Sequence, residues 1–137
     1  MLARLGKGTY FLVLEPEQGL LALSLLMQQV EEGRDVTVRD VSGSYGTLAI
    51  AGPDASTVMA SLVSPRIELE RFSGDQAVAM EVGYAPARVL RYRAHRTDVW
   101  EIHTPFEYVV GLDELIRKDG TVQDVGFKAF NQLNAGR

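Results

Sequence analysis

Cysteine is absent from the 137 residues, so disulfides and thiol nucleophiles are excluded and secretion gains no support. An excess of basic charge is missing as well. The chain sets 14 Lys and Arg against 18 Asp and Glu, for a net charge of −4. That balance argues against nucleic acid as a partner, because phosphates are held by Lys and Arg. No apolar run approaches the roughly 18 residues of a membrane span. The segment from Leu20 to Met27 is apolar-rich, but it is short and Ser24 interrupts it. A signal peptide is also missing, since Lys7 and Gly8 break the start and no cleavage site follows an apolar core. The expectation is a cytoplasmic protein engaged with neither nucleic acid nor membrane.

Several catalytic patterns can be set aside. Gly6-Lys7-Gly8 precedes a strand, whereas a phosphate-binding loop follows a strand and opens a helix. His95 and His103 lack the spacing or companions of a metal site, so no metal is expected. Asp98 and His103 form no triad without a nucleophile beside them.

What remains is 46% hydrophobic and 23% charged, enough for one core and one domain over residues 1–137. Tyr10 to Leu14 reads as a short strand. Glu15 to Glu32 reads as a helix with Leu23, Leu26, Met27 and Val30 on one face, ended by Gly33. Asp35 to Val41 alternates apolar and polar residues as a half-buried strand does. Thr47 to Ala51 is a further strand, stopped by Gly52-Pro53, and Asp54 caps a short helix through Val63. Ala77 to Val82 and Ala87 to Arg93 read as strands paired across the Gly83-to-Pro86 turn. A strand ending at Glu101-Ile102 and a last helix from Val125 to Leu133 complete the order. Strand-to-strand steps of this kind predict an α+β fold, a mixed and largely antiparallel sheet with helices packed on it.

The segment from Asp98 to Gly120 carries the densest signal. Thr104, Pro105 and Glu107 fit N-cap, first and third positions of a helix, the spacing of a capping box. Phe106, Val109, Val110, Leu112, Leu115 and Ile116 follow at helical intervals. Arg117 and Lys118 in the last turn and Gly120 beyond suit the helix dipole and a glycine stop.

This strand-cap-helix order resembles the pteridine-holding segment of the folate-dependent aminomethyltransferase family. That family includes the glycine-cleavage T-protein, the C-terminal regions of dimethylglycine and sarcosine dehydrogenases, and the sarcosine oxidase gamma subunit. Asp40-Val41-Ser42 with Gly46 through Ala55 is similar to the family's "DxS…alLalqGPkA" block. Arg71-Phe72 and the strand from Ala87 to Tyr92 look like the stretch leading to the pteridine site. Asp124 through Leu133 resembles the "daGyrAlnsLRlekG" helix of the dehydrogenase branch.

The resemblance implies a domain of the folate-binding type, with tetrahydrofolate as cofactor. Glu101 stands where the family holds its ligand-binding carboxylate, and a carboxylate can accept two N–H bonds from a pterin edge. Arg91 and Tyr92 lie on the strand that leads there. The departures are equally specific. T-proteins read "YTGExGxEi" where this chain has Ala94-His95-Arg96-Thr97-Asp98-Val99-Trp100-Glu101-Ile102, without the glycines or the first glutamate. Residue 130 is Phe in place of an arginine that contacts the folate tail. The N-terminal segment with the catalytic aspartate and the C-terminal barrel have no counterpart, so no catalytic residue is assigned. Whether the chain is itself an enzyme stays open.

Two readings follow. One is a folate-binding-like subunit or fragment of a tetrahydrofolate-linked one-carbon enzyme, not catalytic alone, working as a homo-oligomer or beside a larger flavin-dependent amine-oxidising subunit. The other is a structural or protein-interaction module that no longer binds folate. In either, Trp100, Phe130, Arg93 and Arg96 are candidates for a partner interface, with aromatics at its centre and charge at its rim. The run Arg88, Arg91, Arg93, His95 and Arg96 has a plainer explanation, as a solvated strand protected from aggregation by charge.

Overall fold

The computed structural model describes residues 1–30, 35–64, 69, 72, 77–94, 97–118, 120–126, 129–130 and 132. It confirms the α+β class. A hairpin of β1 (Leu2–Gly6) and β2 (Thr9–Leu12) leads into α1 (Pro16–Gln29). After a 3-10 turn at Ser42–Ser44 come β3 (Tyr45–Ala51) and α2 (Ala55–Leu62). Then follow β4 (Ala77–Val82), β5 (Ala85–Ala94), β6 (Thr97–Pro105) and α3 (Phe106–Arg117). The larger sheet has the order β3-β6-β5-β4, and each of its pairs is antiparallel.

The central strand β6 fixes which side chains share a face. Its Trp100 stands between Ile50 and Arg91, and Ile102 between Leu48 and Val89. The apolar ones among these, with Met59 of α2 and Leu112 and Ile116 of α3, make the main core between sheet and helices. Each large aliphatic side chain buried there contributes about 1.5–3 kcal/mol. The opposite face carries Glu101 and His103 of β6 with Leu90 and Tyr92 of β5. There Leu90 and Ala77 pack on Ala3, with Met1, Leu5 and Phe11 of the N-terminal segment around them. The sheet is thus covered on both faces, by helices on one and by the β1–β2 hairpin on the other.

Four expectations need correction. Asp54 precedes α2, but its side chain makes no capping bond. Residues 36–41 form no strand, and Val36 is exposed. Apolar alternation builds a strand only where a neighbouring strand supplies the ladder, and here the chain turns instead. The Asp40 carboxylate accepts from the Ser42 amide at 2.9 Å and from its hydroxyl at 2.7 Å. These two bonds hold the Asp40 carboxyl below its ordinary pKa.

The capping box before α3 is also not formed. Strand β6 continues through Pro105, so Thr104 lies fully buried in the sheet and donates its hydroxyl to the Pro86 carbonyl at 2.9 Å. No side chain caps α3. Finally, Phe106 and Val110 are exposed, because they lie on the turn of α3 away from the buried Leu112 and Ile116.

The far end of α3 follows expectation. Arg117 bonds Asp113 at 2.8 Å and Asp124 at 2.6 Å, and Gly120 takes a positive φ of 73°. The expected last helix falls partly outside the described residues. Within them, the Phe130 amide donates to the Gly126 carbonyl at 3.0 Å, one helical step.

Candidate functional site

Strand alternation sorts the expected site residues onto two faces of the sheet. On the hairpin side, Tyr92 donates its hydroxyl to Glu101 Oε1 at 2.6 Å. Glu101 Oε2 faces His103 Nε2 at 3.4 Å, and His103 Nδ1 is hydrogen-bonded to Thr47 Oγ1 at 2.9 Å. Both residues of β6 are buried, Glu101 with 9% and His103 with 3% of their surface exposed. Phe11 of the hairpin lies edge-on over the His103 ring, with centroids 5.1 Å apart. The Arg88 guanidinium sits 4.5 Å above the Tyr45 ring and 5.2 Å from Phe11. A carboxylate, an imidazole, a phenol and a threonine hydroxyl are therefore lined up beneath an aromatic and cationic cover.

The helix side holds a different network. Arg91 donates to Asp98 Oδ2 at 2.8 Å and to the Leu69 carbonyl at 3.4 Å, while lying 5.1 Å over the Trp100 ring. Trp100 Nε1 donates to Ser56 Oγ at 3.2 Å, and Ser56 donates to Asp98 at 3.4 Å. This cluster ties α2 to β5 and β6. The bond from Arg91, aided by its charge and that of Arg93, holds the Asp98 carboxyl below its ordinary value of 3.8 despite desolvation.

The sign of that shift fixes a pH dependence. A carboxyl whose folded pKa is depressed stabilises the fold fully above its unfolded value, and the contribution fades as pH falls through the folded value. Asp98→Asn is thus expected to cost up to about 1 kcal/mol at neutral pH, a magnitude suited to a partly exposed pair. It should also flatten the loss of stability below pH 3.8. Urea titrations of both proteins across the acid range measure this, and parallel curves would contradict it.

Glu101 and Tyr92 are therefore brought together, whereas Arg91 is not with them. Trp100 is fully buried, which corrects its placement at an exposed interface. A tryptophan facing inward from the central strand fills the core instead. Phe130 packs on Tyr92, Ala94 and Val99, and Arg93 is largely exposed beside Asp98. Arg96 and His95 lie outside the described residues. The sequence reading missed Thr47 and Phe11 as neighbours of His103, and Tyr45 beside Phe11 and Arg88. It also missed that His103 joins Glu101, although spacing by two along a strand signals it.

Among the described residues, no group of three His, Cys, Asp or Glu could hold a metal. Nor is any described helix long and apolar enough to cross a membrane.

An antiparallel sheet with helices on one face and a buried carboxylate–imidazole–phenol row on the other defines an α+β module with a polar strip on its central strand. The chain belongs to the GCVT N-terminal domain family, whose pattern matches residues 1–136. It is similar to human mitochondrial dimethylglycine dehydrogenase, with 27% identity over 109 residues, covering 77% of this chain and 13% of that protein. The mouse mitochondrial dimethylglycine dehydrogenase shares 27% over 105 residues, covering 77% of this chain and 12% of the relative. The chain thus spans about an eighth of these relatives' length. The family link is to folate-dependent aminomethyltransferases and dimethylglycine dehydrogenase-like enzymes.

Proposed function

We propose that the chain is the folate-binding-like part of a tetrahydrofolate-linked enzyme that removes one-carbon units from N-methylated amines. The single observation carrying this is Glu101, a buried carboxylate on the central strand with Tyr92 and His103 beside it. The relatives support the amine class, since both are named as dehydrogenases of dimethylglycine.

The donor set suits a pterin edge. A carboxylate accepts paired N–H groups, a threonine hydroxyl can donate or accept, and an aromatic cover gives a ring something to lie against. Tetrahydrofolate, when bound, supplies the acceptor for the one-carbon unit. This chain's part is to hold the pterin through Glu101. No catalytic aspartate is assigned among the described residues, so in this reading the transfer draws on groups beyond them. A larger flavin-dependent amine-oxidising subunit fits that need best.

A second reading, a module that binds no folate, is favoured by one contact. The Tyr92 hydroxyl already occupies Glu101 Oε1 at 2.6 Å beneath the hairpin. A pterin N–H must displace it.

Calorimetric titration with 5-formyltetrahydrofolate separates the two. Under the first reading, binding is weak, Glu101→Gln weakens it by about tenfold through loss of a charged acceptor, and Tyr92→Phe tightens it by removing a competing donor. No binding at all would leave the second reading standing, and binding indifferent to both substitutions would overturn the role given to Glu101.

A further inference from the structure

Helix α1 is built for burial and is left uncovered. Between Leu20 and Met27 every residue except Ser24 is apolar. Yet Leu20 is 82% exposed, Leu21 66% and Leu25 52%. None of its side chains joins the three apolar clusters found among the described residues. At about 100° per residue, Leu20, Leu21, Leu25 and Leu26 span roughly 240° of its circumference. A helix apolar over so much of its girth belongs inside a larger protein or a membrane. At 14 residues it extends only about 21 Å, short of the roughly 30 Å of a bilayer's hydrocarbon layer.

Charge then selects the occupant. Between Lys7 and Arg34 the chain has no basic residue, but Glu15 and Glu17 lie at the start of the helix and Glu31 and Glu32 follow its end. A second copy of α1 would bring the same acidic segment, free of basic residues, against itself, and an anionic lipid surface would repel it. A polypeptide carrying basic residues gains instead.

We propose that α1 is a docking helix received by another polypeptide through an apolar trough edged with Lys and Arg. The leucines give the affinity, as in helix-in-groove recognition, and the terminal glutamates set the choice of partner. The proposal is independent of any ligand at Glu101, and its test uses no folate.

Two synthetic amphipathic peptides serve as probes, one combining leucine with lysine and a twin carrying glutamate in place of lysine. Fluorescence anisotropy with the whole chain should show the lysine peptide bound about tenfold or more tightly than its twin. Leu21→Ser/Leu25→Ser should abolish that binding with unchanged circular dichroism, since both side chains are exposed. Glu15→Gln/Glu17→Gln should weaken it severalfold and reduce its salt dependence. Equal binding of the two peptides, or none, overturns the proposal. So does a dimer in light scattering that Leu21→Ser/Leu25→Ser dissolves, which assigns the face to a second copy. Binding to phosphatidylcholine–phosphatidylglycerol vesicles, lost in the same variant, overturns it in favour of lipid.

Discussion

Replacing Trp100 with alanine is expected to remove about 3–5 kcal/mol of folding stability, a large share of the roughly 5–15 kcal/mol a domain holds in total. The side chain is fully buried and meets the Phe72 ring edge-on at 5.0 Å. Its truncation opens a cavity in the centre of the sheet, leaves Ser56 without the indole donor, and removes the surface on which Arg91 rests. Trp100→Phe keeps most of the volume and should cost markedly less. Urea denaturation followed by circular dichroism measures both, since the chain has no other tryptophan to report by fluorescence. A loss below about 1 kcal/mol for the alanine variant would contradict the role given to this residue.

Leu112→Ala in α3 is expected to cost about 2–5 kcal/mol, because Leu112 is fully buried against the sheet. Leu25→Ala in α1, the same chemical change, should stay within about 0.5 kcal/mol, because that leucine faces solvent. Thermal melts of the two variants make the comparison direct. A similar loss in both would mean that α1 is packed against its own chain, and the docking proposal would lose its foundation.

Local signals located most of these elements. The Gly52-Pro53 stop, the strand from Ala77 to Val82, the turn at Gly83 and the basic end of α3 rest on turn chemistry and periodicity within a few residues, and these hold in the structure. Where local signals were overruled, tertiary pairing decided. The alternation around Val36 found no partner strand. Thr104 had the right spacing for a cap, but β6 kept it in the sheet, where the Pro86 carbonyl claimed its hydroxyl.

The candidate site was legible in part. Glu101 was found from the family resemblance and Tyr92 from the neighbouring strand. Alternation forbids Arg91 and Tyr92 from sharing a face, and that rule separates Arg91 from the carboxylate without any structure. Thr47 and Phe11 were beyond reach, because their approach depends on the register of β3 against β6 and on how the hairpin folds over the sheet.

The strand order carries a consequence for how the protein is made. Strands β4, β5 and β6 follow one another across two-residue connections, so they can pair as soon as they exist. Strand β3 is different. Its neighbour in the sheet is β6, and the bonded pair Thr47 and His103 stand 56 positions apart. Closing so long a loop carries an entropy cost that local hairpins avoid. On the ribosome, β3 therefore emerges early and remains without its ladder until Pro105 has left the exit tunnel. Throughout that interval an apolar strand edge lies open to other chains, the condition under which nascent proteins depend on chaperones.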